Sequence, residues 1–123
     1  MISDTLKRVM QKEGVVAIVA QGKDFPCVVN TWHSYVRLSD NSFIIPVGGM
    51  HSIEEALTRD NRVLVTVGSK EVEGLHHHMG TGFLLRGNAH MSQEGDAYAS
   101  MKETYPWARA VLEINLTETT QTV

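Results

Sequence analysis

Arg109-Ala110-Val111-Leu112-Glu113-Ile114-Asn115-Leu116 alternates residue by residue. Ala110, Leu112, Ile114 and Leu116 fall on one side, and Arg109, Val111, Glu113 and Asn115 on the other. A period of two marks a strand with one face in a core. Working back from it, Glu94 to Thr104 carries Ala97, Tyr98 and Met101 at helical spacing, and Pro106 ends that helix. Thr81 to Ala89 and Arg62-Val63-Leu64-Val65-Thr66-Val67 read as strands, with a loop or ragged hairpin over Lys70 to Gly80 between them. Further back, Phe43-Ile44-Ile45-Pro46-Val47 is a strand, broken by Gly48-Gly49. Ser52-Ile53-Glu54-Glu55 then opens a helix in the pattern of a capping box, with Ser52 as the cap and Glu55 as its partner. Cys27 to Leu38 reads as one long strand. Val15 to Ala20 is β-branched and continuous, and is expected to be buried on both faces. Residues 3–12 form a short amphipathic helix, capped by Ser3 or Asp4, with Leu6, Val9 and Met10 on one side and Gly14 at its end.

About six strands with short helices and no regular β–α alternation predict a mainly β fold, a largely antiparallel barrel rather than a doubly wound sheet. The 123 residues make a single domain, 1–123. Eleven basic against 14 acidic residues give a net charge of −3, with no basic cluster beyond Lys7-Arg8, which disfavours a nucleic-acid footprint. The longest apolar run, Val15 to Ala20, is far short of a membrane span, and no signal-peptide pattern is evident. The single Cys27 allows no internal disulfide and fits a reducing, cytoplasmic compartment.

Two stretches carry chemistry. Val29-Asn30-Thr31-Trp32-His33-Ser34-Tyr35 places polar and aromatic residues where a core strand is expected to be apolar. It reads either as a solvent-facing wall or as a hydrogen-bonding edge for a flat heterocycle flanked by Trp32 and Tyr35. Val47-Gly48-Gly49-Met50-His51-Ser52 is a strand, a glycine break and a helix start. It reads either as an ordinary turn or as a close backbone approach to an anion. His76-His77-His78 lack the Cys or acidic partners of a tetrahedral site, and His33, His51 and His90 show no ligand spacing, so no metal is assigned. Cys27 has no basic neighbour and reads as an inert thiol. No nucleophile elbow or dinucleotide fingerprint occurs.

The order of segments resembles the small bacterial FMN-binding proteins, split-barrel flavoproteins related to pyridoxamine phosphate oxidase. The matching segments are Glu13-Gly14-Val15-Val16-Ala17-Ile18, Val29-Asn30-Thr31-Trp32 with Ser34-Tyr35, and Pro46-Val47-Gly48-Gly49-Met50-His51. Gly80-Thr81-Gly82-Phe83-Leu84 with Arg86-Gly87, and Trp107-Ala108-Arg109-Ala110, extend it over essentially the whole chain. The resemblance implies a six-stranded antiparallel split barrel, two copies of which form a homodimer that holds FMN non-covalently near the subunit interface. It implies that Asn30, Thr31 and Trp32 meet the flavin edge and ribityl chain, with Tyr35 and Trp107 as nearby aromatics. Pro46, Val47, Gly48 and Gly49 are then expected at the ring and phosphate, Met50, His51 and Ser52 at the phosphate end, and Thr81 with Gly82 in the adjoining wall. The polar tail Thr117 to Val123 is expected to reach over the partner's flavin. One departure stands out: Ser52 occupies the place of a family lysine.

The implied function is a redox flavoprotein, in electron transfer or as a flavin reductase, with an unidentified redox partner and no catalytic acid–base pair to name. The alternatives are a pyridoxamine phosphate oxidase-like enzyme, or a non-catalytic split-barrel module for another ligand.

Overall fold

The computed structural model describes residues 2–123. Helix α1 (Asp4–Met10) opens the chain, and the Ser3 hydroxyl caps it by accepting from the Leu6 N–H at 3.1 Å. Then come β1 (Val15–Ala20), β2 (Cys27–Trp32), β3 (Arg37–Ser39), β4 (Ser42–Val47), α2 (His51–Leu57), β5 (Arg62–Glu73), β6 (Met79–Ser92), α3 (Asp96–Thr104) and β7 (Ala110–Gln121). The strands form one antiparallel sheet in the order β2-β1-β5-β6-β7-β4-β3, curled around a single core. Ala110, Leu112, Ile114 and Leu116 are all buried, as their alternation requires. Among the described residues no helix is long and apolar enough to cross a membrane.

Among the described residues there are seven strands rather than six, because the expected long strand over Cys27 to Leu38 is two. Between them His33–Tyr35 makes a single 3-10 turn. The cause is His33, which is 1% exposed. Its Nδ1 sits 2.7 Å from the Lys12 carbonyl and 3.1 Å from that of Val9, so it carries the ring proton and donates to the end of α1. Turning the imidazole inward to reach α1 takes the backbone out of the sheet.

Two other expectations are corrected. Strand β1 is buried on one face only: Val16, Ile18 and Ala20 face the core, whereas Val15 is exposed and Ala17 and Val19 are half-buried. Helix α2 has no capping box. It starts two residues earlier, after Met50 in a left-handed conformation (φ 59°), and Ser52 lies inside its first turn. Glu55 turns forward instead, to the Arg59 guanidinium one turn on.

The hairpin between β5 and β6 is longer than expected, with the strands running to Glu73 and from Met79. Its tip, Leu75–His77, holds His76 and His77 at φ 60° and 61°. The polar tail is not a free arm. Strand β7 runs to Gln121, and the Val123 carbonyl accepts from the Thr81 hydroxyl at 2.8 Å and from the Leu75 N–H at 3.2 Å.

Candidate functional site

A cavity of about 450 Å³ opens between the end of β2, the Gly48–Gly49 turn and the segment leading into β7. Asn30, Thr31 and Trp32 form its strand wall, joined by Val29. Tyr35 and Trp107 supply the aromatic side, and Pro46, Gly48, Gly49 and Met50 the turn. Residues far apart in sequence therefore meet in one place, within the size range of small-molecule sites. Trp32 and Trp107 are each about half exposed, at 46% and 49%, which leaves ring faces open to a ligand.

The aromatic side is braced. Tyr35, Tyr105 and Trp107 pack with ring centroids 5.1 to 5.5 Å apart, all in tilted or edge geometry. The Tyr105 hydroxyl reaches the Ser34 carbonyl at 3.3 Å, tying the segment after α3 to the 3-10 turn. Gly48 matters to this packing: a Cβ there would lie 3.3 Å from the Trp107 ring, tighter than an ordinary contact. On the other flank Glu13 accepts from the Ser34 N–H at 3.1 Å and from its hydroxyl at 2.6 Å. These two bonds hold the Glu13 carboxyl below its ordinary range.

Arg109 lies behind the turn. Its Nε–H donates to the Gly48 carbonyl at 2.8 Å and Nη2 donates to that of Gly49 at 2.5 Å. Nη2 is also 3.1 Å from a Glu54 carboxylate oxygen and 3.3 Å from His51 Nδ1. Its backbone N–H donates to Val47.

Five of the expected site residues do not line the cavity. Val47 is wholly buried in the core and reaches the site only through its backbone. His51 and Ser52 lie on α2 beyond the turn, both exposed. Thr81 and Gly82 lie on β6, where Thr81 is buried and holds the C-terminal carbonyl, and Gln121 donates to its hydroxyl. Sequence reasoning passed over Arg109, which it took for an outward residue of the last strand. Its only signal was a charge directly before a core strand.

A larger hollow, about 620 Å³, lies along β1, β5 and β6. No aromatic ring lines it. Its two arginines are partnered, Arg62 by a fork to both oxygens of Asp60 and Arg86 by Glu118 at 3.8 Å. The fork pulls the Asp60 carboxyl down to about 2. The histidine-bearing hairpin tip forms no metal cluster, and among the described residues no group of three His, Cys, Asp or Glu side chains is placed to hold one.

No protein-family model matches the sequence. The chain is 44% identical over 124 residues, the full length of both proteins, to the FMN-binding protein of Nitratidesulfovibrio vulgaris (strain DSM 19637 / Miyazaki F). The chain belongs to that family. Its fold is the split barrel of flavoproteins related to pyridoxamine phosphate oxidase. Group A Streptococcus HupZ superposes with a TM-score of 0.80 at 16% identity, over 98% of this chain and 94% of that one. The FAD-binding protein of Mesorhizobium loti gives 0.64 at 14%, over 94% and 89%. A Clostridium acetobutylicum protein of the pyridoxinephosphate oxidase family gives 0.67 at 11%, over 94% and 84%. At such identities these three speak for the fold alone.

Proposed function

We infer that this chain is an FMN-binding flavoprotein with a redox role, in electron transfer or flavin-reductase-like chemistry. The carrying observation is the cavity, which gathers Asn30, Thr31, Trp32, Gly48, Gly49 and Trp107 in one place in a chain of the FMN-binding family. Its form fits the cofactor: aromatic faces for a flat ring, amide and hydroxyl groups for its polar edge, and a glycine turn for the phosphate-bearing tail. Bound FMN supplies the electron chemistry, and the protein holds the ring and tunes it. Among the lining residues the only titratable group is the Tyr35 phenol. That lining suits passing electrons better than abstracting a proton from a substrate, and it gives a pyridoxamine phosphate oxidase-like reaction no acid–base pair.

The redox partner, of unidentified class, and a second copy of the chain complete this reading. The homodimer is supported by the outer face of the sheet. Val15 pairs with Trp32, and Val19 pairs with both Val28 and Leu64, so these residues share that face. Val15, Val28, Trp32 and Leu64 are 39 to 59% exposed, an apolar patch that includes one wall of the cavity. A copy seated there covers the open side of the flavin site.

The absorption spectrum of the purified protein tests the cofactor. Flavin bands, and return of those bands when apo-protein is given FMN, are expected. A colourless protein that takes up no FMN would leave a split-barrel module for another ligand. Reoxidation of the photoreduced protein by an added one-electron acceptor tests the redox role, and a flavin that is held but exchanges no electrons would exclude it.

A further inference from the structure

The Gly48–Gly49 turn is held from outside the cavity by one charged side chain. Arg109 has five N–H donors in a rigid fork. Nε donates to Gly48 and Nη2 to Gly49, so both carbonyls point at the guanidinium. Among the described residues no peptide is cis. In a trans peptide the C=O and the following N–H point in opposite directions. The N–H groups of Gly49 and Met50 are therefore turned away from Arg109, on the side where Gly48, Gly49 and Met50 line the cavity. Neither N–H has an acceptor among the described residues.

Charge points the same way. None of the residues lining the cavity is ionic at neutral pH. Arg109, about three-quarters buried, is the cation bonded directly to that lining, and Glu54 beside it is the anion. Nη1 has no acceptor among the described residues. Position 52 offers only a hydroxyl.

We propose that Arg109 is the positioning residue that makes this turn a seat for the FMN phosphate. It turns two amide donors into the cavity and supplies the positive field behind them. The proposal rests on the FMN reading and adds what selects FMN over riboflavin. A phosphomonoester carries about −1.5 to −2 charge near neutral pH, whereas riboflavin carries none. Glu54 opposes the phosphate and is held in check by the same guanidinium.

Apo-protein titrated with FMN and with riboflavin, followed by flavin emission, tests this. Arg109→Gln is expected to lower FMN affinity about 10–100-fold, the worth of hydrogen bonds to a charged group. Riboflavin affinity falls far less, so the preference collapses. Arg109→Lys keeps the charge without the fork and is expected to recover part of the preference. Glu54→Gln is expected to raise FMN affinity and leave riboflavin where it was. A wild-type chain that binds the two flavins equally overturns the proposal while leaving flavin binding intact. So does an Arg109→Gln variant that melts cooperatively yet keeps the wild-type ratio, or loses both flavins in equal proportion. A wild-type chain that binds neither flavin defeats the FMN reading itself.

Discussion

Trp32 is the residue whose exposure matters most to the site. It stands at the end of β2 with 46% of its surface open, packs into no core and lines the cavity. Trp32→Ala is therefore expected to leave the melting temperature nearly unchanged and to weaken FMN roughly 2–10-fold, the worth of an aromatic contact, with a change in flavin emission. Unaltered affinity and emission would remove Trp32 from the site. Glu13 sets a pH dependence. Its folded pKa lies below its ordinary value of 4.5, chiefly through the bond from the Ser34 hydroxyl. A depressed carboxylate contributes stability that is fully present above the unfolded value and is lost as pH falls through the folded one. The tie between Glu13 and the 3-10 turn thus holds at neutral pH and releases on acidification below about 4.5. Urea midpoints measured for wild type and Glu13→Gln from about pH 6 downward are expected to differ at first and then converge. A difference that stays constant across that range would mean the carboxylate is not what holds the turn.

The elements were legible where pattern and packing agree, as in β7 and α1, and misread where a single side chain overrides the pattern. Nothing in Trp32-His33-Ser34-Tyr35 announces that the histidine turns inward to the carbonyls of α1, so two strands looked like one. The same blindness misplaced the start of α2. Ser52 and Glu55 have the spacing of a capping box, but the left-handed residue before the helix is Met50, and Arg59 takes the Glu55 carboxylate. The cavity was legible for the opposite reason, since its polar and aromatic residues broke an otherwise apolar strand pattern. Arg109 was not, because its partners are backbone carbonyls that no sequence displays. A tight point among these elements is Gly14, where α1 gives way to β1. A Cβ there would sit 2.8 Å from the His33 ring and 3.0 Å from the Gly68 carbonyl. The ring is pinned by α1 and the carbonyl belongs to a sheet strand, so neither yields easily. Gly14→Ala is expected to destabilise the fold by about 1–3 kcal/mol, the usual cost of overpacking, read as a lower urea midpoint. A midpoint equal to wild type would show that the turn and α1 shift together without loss.

At the scale of the molecule the two faces of the sheet are unequally covered. The core on its inner face is closed by α1 and α2, and Met101 of α3 is buried apart from it, while the outer face of β2, β1 and β5 stands open with valine, leucine and tryptophan on it. A chain of 123 residues encloses little more than its own core. That leaves a flat ring against Asn30 to Trp32 uncovered on its far side unless a second surface meets it. A two-fold contact through this face would bury the patch on both copies at once, because such an interface uses the same surface twice. The prediction is a particle of twice 13.7 kDa by light scattering, with flavin bound. Leu64 is the position at which to break it, being 39% exposed and part of no core cluster. Leu64→Glu would put a charge into the apolar contact on both copies, and burying an unpaired charge is costly. The variant is expected to fold with an unchanged melting profile at low concentration, to scatter as a single chain, and to hold FMN more weakly because the cavity has lost its cover. Monomeric wild-type protein with flavin still bound would refute the dimer. A Leu64→Glu variant that stays double in mass would move the contact to another face. A monomeric variant with undiminished affinity would show that the cavity is complete within one chain.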